Sequence, residues 1–396
     1  MAERRSALYD AHVRAGAQMV KGGGDFLFPS SYTSAVEEHV NTRTNVGMQD
    51  LSSMGEVDVK GPGAERLLNH LLVNEIRDMD PGRVRYSTIC NEDGGIVDDV
   101  TVYKFHDEHF MVVTSSGPRL TCYRWIADHA VGSSAYVTDV SATIAFVSVQ
   151  GPKSRELLRT VVGDADIDAL RFFRFTPGRI GETEVLLSRS GYTGELGFEL
   201  YIPADEAVGI WELLRTDGKA FGLKPYGAQA MHTLRLEKSL PLYGPDISQD
   251  QTPFHVGLDR WIRFDKRDFV GRDALLAVQD SGPEQRWVGL RLDAKMAANP
   301  GDVVSSVGEI DAVREEVLSG PRAGELEDHV HPGEQLGHVT VSHWCPTVEQ
   351  HLAMAYVDTS HAFLGGKLVV GVNGRPVVAT VAPTPFFDPD GIRMKG

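Results

Sequence analysis

The stretch "NEDGGIVDDV", Asn91 to Val100, places two adjacent carboxylates, Asp98 and Asp99, inside a segment that otherwise reads as a β-strand. Asp is depleted in strands, so a compensating environment is expected. Upstream lies "VRYSTIC" (Val84 to Cys90), and the strand-like run "IVDDVTVYKF" covers Ile96 to Phe105, with the polar, Gly-rich "NEDGG" between them. This is a hairpin pattern. Side chains alternate across a strand, so Asp98 and Asp99 face opposite ways. Strict alternation puts Asp98 with Ile96, Val100 and Val102, and Asp99 with Val97, Thr101 and Tyr103. At least one carboxylate then sits on a largely apolar face, where an unpaired charge is costly. Either one Asp caps a turn or pairs with Arg while the other is solvated, or one is a catalytic or binding carboxylate in a cleft.

Working outward, "EVDVKGPGAERLLNHLL" (Glu56 to Leu72) and "AFVSVQGPKSRELLRTVV" (Ala145 to Val162) each read as strand, Gly-Pro, then amphipathic helix, with Pro62 and Pro152 in the first helical turn. After Pro203, Val208, Trp211, Leu213 and Leu214 mark one face of a further helix. Strands alternating with helices in this way predict an α+β body of antiparallel sheets carrying helices. From about Gly282 the texture becomes short strands divided by Gly, Pro and Asn turns, the pattern of a small β-barrel. Residues 1–280 are therefore expected to form one two-module region and residues 281–396 a C-terminal β-barrel domain. The acidic, turn-rich run from Val304 to Glu334 is expected to be an exposed insertion in that barrel.

The 396-residue chain is 42% hydrophobic and 24% charged, with a net charge of -16. Such an acidic chain with no Lys/Arg-rich run is a poor partner for nucleic acid. No apolar run suits a membrane span or a leader, so a cytoplasmic protein is expected. Cys90, Cys122 and Cys345 are scattered, with no C-x-x-C, which indicates neither a disulfide framework nor a metal site.

Two further stretches carry chemistry. In "SRSGYTGELGFELYIP" (Ser188 to Pro203), a Gly-Tyr-Thr-Gly turn would let backbone approach a ligand, and it leads into a strand bearing Glu199. A carboxylate there can accept two N–H bonds from an amino-pyrimidine edge, or it can be a salt-bridged strand residue. In "HTLRLEKSLPLYGPDIS" (His232 to Ser248), Arg235 and Glu237 flank an apolar seam and are expected in internal ion pairs.

These stretches, with "FDKRDFVGRDAL" (Phe264 to Leu275) and "HLAMAYV" (His351 to Val357), follow one another in an order that resembles the aminomethyltransferase superfamily: the glycine-cleavage T-protein and its tetrahydrofolate-dependent demethylase relatives. The resemblance spans nearly the whole chain. It implies three modules arranged like a cloverleaf around a folate channel, the last a β-barrel, with tetrahydrofolate as cofactor. It selects Asp99 as the catalytic carboxylate and Asp98 as its structural neighbour. It puts Glu199 on the pterin, Tyr192, Tyr86, Met54 and Val113 along the channel, and Phe172 and Phe173 in its wall.

The chain also departs from the T-protein pattern. "QDLSSM" (Gln49 to Met54) puts Ser53 where T-proteins carry His, and "QAMH" (Gln229 to His232) puts Met231 at a folate-contacting Arg. With Lys238 in "LRLEKSLPLYG", these changes resemble the dimethylglycine and sarcosine dehydrogenase folate domains. The expectation is a demethylase-type transferase moving a methyl or methylene group from a small N-, S- or O-methyl donor to N5 of tetrahydrofolate. The alternative is the glycine-cleavage aminomethyltransferase, whose donor rides on a carrier protein. A flavoprotein partner is a further expectation of the resemblance, because the chain has no G-x-G-x-x-G of its own. A non-enzymatic iron–sulfur maturation factor of the same fold would carry a Cys near Lys266, and none is there.

Overall fold

The computed structural model describes residues 3–310 and 330–396. Its first large sheet has five antiparallel strands in the order Arg83–Cys90, Ile96–His106, His109–Thr114, Gly55–Lys60 and Tyr136–Asp139. The alternating Val57 and Val59 of its fourth strand, with Val100, Val102, Phe110 and Val112, face helices Ala64–Leu71 and Arg119–His129 and close one core over them. Burial of such side chains contributes about 1.5–3 kcal/mol each. A second sheet of seven strands is built around Ile144–Gln150, paired antiparallel with Gly197–Pro203 and Val46–Asp50. Helices Ser154–Val161 and Ala207–Asp217 cover it, with Trp211 fully buried. Both strand-to-helix units predicted from the sequence are present. Pro62 and Pro152, however, stand in the connecting turns, one residue before the N-caps Gly63 and Lys153.

Six C-terminal strands close a barrel in the order Gln285–Leu292, Gln350–Asp358, Val330–Cys345, Val303–Ile310, Lys367–Val372 and Arg375–Ala382. The architecture is thus α+β with a terminal β-barrel, as expected. The run from Val304 to Glu334 is corrected at both ends. Val303–Ile310 is a barrel strand, with Val304 opposite Gly337 and Val370, and Val330–Glu334 begins its neighbour. The strand itself is half apolar, with Val303, Val304, Val307 and Ile310, and only its continuation into the acidic run hides it; the acidic centre of that run lies outside the described residues. No helix among the described residues is long and apolar enough to cross a membrane.

Two seams bring the modules together. Val84, Tyr103, Met111 and Val113 of the first sheet pack on Phe146 and Tyr201 of the second, with Met54 and Phe173 at the edge. Cys90 and Ile96, from the hairpin, pack with Phe269 and Leu275 and with Tyr356 of the barrel. The hairpin turn explains its glycines. Gly94 has φ +81°, and a Cβ on Gly95 would meet the Gln249 carbonyl at 2.0 Å, because Ile96 N–H donates to the Gln251 carbonyl at 2.9 Å. The two carboxylates are carried to the meeting point of three modules.

Candidate active site

The strand Ile96–His106 is not regularly alternating. Cys90 pairs with Ile96 while Ile89 pairs with Asp98, leaving Val97 as a bulge. A bulge re-aims the side chains on one side of it. Val97 therefore joins Val100 and Val102 in the first core, and Ile96 turns to the barrel-side cluster, reversing the faces that strict alternation assigns these two. Beyond the bulge alternation resumes, and Asp98 and Asp99 do point to opposite sides.

Asp98 is fully buried, with its Oδ2 accepting from the Ser115 N–H at 3.0 Å and its Oδ1 without a partner. No cation among the described residues pairs with it, so neither the turn cap nor the Arg pair weighed for one of the two carboxylates is seen at Asp98. Burial, reinforced by neighbouring Asp99, pushes its carboxyl well above the usual range and keeps it protonated. Asp99 is half-buried; its Oδ2 accepts from the Tyr86 hydroxyl at 3.1 Å and its Oδ1 from the Ser115 hydroxyl at 3.2 Å. Burial raises Asp99 to about 6, held down by those two donors. Ser115 thus bridges both acids, backbone to one and side chain to the other. Local sequence contains no signal for this, since Ser115 reaches the pair only across the sheet.

The neutral state of Asp98 has a measurable consequence. A folded-state carboxyl raised above about 3.9, its unfolded value, contributes most below that pH and loses stability as pH climbs toward its folded value. Asparagine has no proton to lose. The melting temperature of Asp98→Asn minus that of the wild type should therefore rise as pH climbs above about 4. A difference that falls over this range would mean that Asp98 is ionised in the fold.

Tyr86 opens onto a cleft of about 520 Å³ whose walls include Phe172, Phe173, Trp261, Asn74 and Val84. Tyr86 and Trp261 meet edge to face at 6.0 Å, and Phe172 and Phe173 stack at 4.4 Å. Phe173 has φ +57° and its carbonyl accepts from Val84 N–H, which pins the aromatic pair to the first sheet. Trp261 belongs to a 3-10 turn that sequence reasoning passed over.

Glu199 lies on the strand Gly197–Pro203, 9% exposed, with no cationic partner among the described residues. The Ser190 hydroxyl donates to its Oε2, and Oε1 has no protein donor among the described residues. A relay of hydroxyls leads to it: Tyr201 donates to Tyr103 at 2.8 Å, Tyr103 to Ser188 at 3.1 Å, and Ser188 touches Ser190 at 2.6 Å. Burial raises Glu199 to about 7 against the lowering effect of Ser190 and Tyr103. The glycines of its turn serve packing: a Cβ on Gly191 would strike Gln150 Oε1 at 2.0 Å, and Gly194, with φ +79°, lies against the Lys238 side chain.

Tyr192 is half-buried, and its hydroxyl donates to the Leu240 carbonyl at 3.3 Å and to that of Pro241. That loop is itself fixed. Arg235 pairs with Asp246, whose other oxygen accepts from Thr340 and whose carbonyl accepts from Tyr356 of the barrel at 2.7 Å. Glu237 pairs instead with Arg43 at 2.9 Å. Both are internal ion pairs, as expected for this helix. At the departures, Ser53 meets Ser116 at 2.8 Å and Met231 packs beside Tyr226 and Leu234. His232 lies against His343 of the barrel, where burial and Arg235 hold both rings neutral, at about 3 and about 4.

Seven of the eight expected site residues are therefore brought into connected surroundings: Asp99 and Tyr86 in contact, Tyr86 with Phe172 and Phe173 in one cleft, and Met54, Val113 and Phe173 in the seam containing Tyr103, which leads to Glu199. Tyr192, held by the Leu240 and Pro241 carbonyls, stands apart from the residues that line the cleft.

Comparison with known proteins agrees with this architecture. The GCVT N-terminal domain family matches residues 8–266, and the glycine cleavage T-protein C-terminal barrel domain matches residues 316–388. The aminomethyltransferase of Streptomyces coelicolor is 39% identical over 386 residues, covering 97% of each chain. That of Moorella thermoacetica is 36% identical over 384 residues, covering 97% of this chain and 98% of its own. The crystal structure of glycine cleavage system aminomethyltransferase T from Bartonella henselae superposes with a TM-score of 0.85 at 26% identity, covering 98% of this chain and 99% of that one. The chain belongs to the aminomethyltransferase (GCVT) family and is a tetrahydrofolate-dependent transferase.

Proposed function

We propose that this enzyme transfers an aminomethyl-borne one-carbon unit from a carrier protein to tetrahydrofolate, with Asp99 as the reacting carboxylate. The observation that carries the reading is the Tyr86 hydroxyl, which lines the aromatic cleft and donates to Asp99. The residues present suit a reduced folate. Tyr86, Phe172, Phe173 and Trp261 offer flat apolar walls, while Glu199, on a buried strand, offers an oxygen with no protein donor among the described residues to a pterin N–H edge. Tetrahydrofolate supplies the N5 nitrogen that accepts the carbon. Asp99, held by Tyr86 and Ser115, takes the N5 proton and stabilises the positive charge that develops there. Both reactants are oriented in one cleft, which supplies much of the rate.

The sequence points toward a demethylase acting on a small methyl donor, because of Ser53, Met231 and Lys238. The relatives favour the glycine-cleavage alternative, and one assay separates them. With tetrahydrofolate and an aminomethyl-lipoyl carrier, the enzyme should form 5,10-methylene-tetrahydrofolate and ammonia, read by mass. Formation of 5-methyl-tetrahydrofolate from an N-, S- or O-methyl donor, with the carrier inert, would establish the demethylase instead.

Glu199→Gln keeps the shape but turns one acceptor into a donor facing the pterin edge. Tetrahydrofolate affinity should weaken by about 1–3 kcal/mol in calorimetry. Unchanged affinity would remove Glu199 from the site.

A further inference from the structure

The hydroxyl relay that ends on Glu199 begins in the other module. Tyr103 stands on the strand Ile96–His106, on the same face as Asp99, and reaches across the seam to Ser188, whose neighbour Ser190 donates to Glu199 Oε2. Tyr103 and Ser188 are fully buried, and Ser190, Tyr201 and Glu199 nearly so. Each hydroxyl has one proton to give. Ser190 gives its own to the carboxylate, so Ser188 must donate to Ser190, Tyr103 to Ser188, and Tyr201 to Tyr103. The chain can run the other way only if Glu199 holds a proton on Oε2 and donates it to Ser190. Tyr201 would then be the last donor, and it has no partner besides Tyr103 among the described residues; Phe146 stacks on its ring at 4.5 Å. A buried donor without an acceptor is costly, so the phenol end fixes the direction. The other polar neighbours of Glu199, Ser148 opposite it in the ladder and the Tyr226 phenol, carry no charge. Oε2 is thus committed to Ser190, and Oε1 remains the oxygen offered to a ligand.

We propose that Tyr103 is a positioning residue for the pterin carboxylate: its phenol locks a one-way chain of donors that keeps Glu199 an acceptor, and this acceptor selects the amino-bearing edge of the folate ring. The inference deepens the folate reading above and rests on it. A hydrogen bond received by a carboxylate favours its charged form. Burial favours the neutral form and holds Glu199 at about 7, so near neutrality its charge depends on the donors that reach it. Without the Tyr103 phenol, Ser188 becomes a free rotor whose proton is no longer forced toward Ser190. Ser190 can then accept from Glu199, which keeps its proton. A neutral carboxyl is a weaker acceptor than a charged one, so the N–H donors of the ring gain less from it. Because Tyr103 shares its strand with Asp99, the same contact also registers the pterin carboxylate to the reacting one across the seam between the sheets.

The test is equilibrium binding of tetrahydrofolate and of its 2-deamino-2-methyl analogue, which lacks the amino donor, to the full chain. The proteins are the wild type, Tyr103→Phe, Tyr201→Phe and Glu199→Gln, each checked for folding by circular dichroism, with single-turnover transfer measured at saturating tetrahydrofolate. The wild type should prefer tetrahydrofolate about tenfold or more. In Tyr103→Phe the preference should fall to about threefold or less, through weaker binding of tetrahydrofolate, while the rate at saturation changes by less than about twofold. Loss of a phenol that only supports the fold would weaken both ligands alike. An unchanged ratio in folded Tyr103→Phe therefore overturns the inference and leaves the folate reading intact. Tyr201→Phe leaves no buried donor stranded and carries the test where Tyr103→Phe does not fold. Its ratio should fall by about twofold, because Tyr201 no longer polarises the Tyr103 hydroxyl, and an unchanged ratio there overturns the inference too. A wild type that does not distinguish the two ligands, or a Glu199→Gln that distinguishes them as the wild type does, takes Glu199 off the pterin edge and this inference with it.

Discussion

Asp99→Asn will slow one-carbon transfer by roughly 100-fold or more while tetrahydrofolate still binds. Asparagine preserves volume and can still accept from one of Tyr86 and Ser115, which contact the two oxygens of the carboxylate at 3.1 and 3.2 Å, while its NH2 meets the other hydroxyl as a donor. What it removes is the charge. Asp99 is placed to lose its proton at about 6, so near neutrality it is largely an acceptor carboxylate ready to take a proton. Because Asp98 is raised further, by burial and by Asp99 itself, the pair carries one charge rather than two, on the member that meets Tyr86. Single-turnover rates and calorimetric affinities of the variant check the prediction. A variant with wild-type turnover would exclude Asp99 from the chemistry.

The second large effect concerns Lys266, in the "FDKRDFVGRDAL" motif. Its ammonium is 4% exposed and donates to three carbonyls, Asn69 and Leu72 at 2.6 Å and Asn74 at 2.9 Å. Burial lowers it to about 8. The segment it ties down includes Asn74, whose side chain donates to the Tyr86 carbonyl at 3.0 Å and lines the cleft. Lys266→Met leaves those carbonyls buried and unpaired, and should cost about 3–5 kcal/mol in urea denaturation. Folate affinity should fall with it, because Tyr86 loses its backing. A loss below about 1 kcal/mol would mean that water or backbone rearrangement replaces the ammonium.

Much of this could be read from residue order because it depends on local pattern. The hairpin, the two strand-Gly-Pro-helix units and the barrel strands are runs whose apolar spacing matches what they bury. Elements held by distant partners were not legible. The Val97 bulge follows from docking of the hairpin on the Gln249–Gln251 loop, roughly 150 residues away along the chain. The strand Val303–Ile310 carries Val303, Val304, Val307 and Ile310 interrupted by Ser305, Ser306 and Gly308, so its alternation is obscured, and it is paired on both sides in the closed barrel. Ser115, Trp261 and the hydroxyl relay to Glu199 acquire meaning only when sheets and modules meet. The expectation of a demethylase rests on Ser53, Met231 and Lys238, three positions set against 36–39% identity along nearly the whole chain. None of the three touches the Asp99 pairing, so they are weak evidence about the reaction.

The most direct test is the pH dependence of single-turnover transfer from the aminomethyl-lipoyl carrier to tetrahydrofolate, in the wild type and Asp99→Asn. A carboxylate that must be ionised is active above its folded value and lost below it. The wild-type rate should therefore rise through about 6 and then level. Asp99→Asn should be slow and flat across the same range. The same inflection in both proteins would place the titrating group elsewhere and contradict the account.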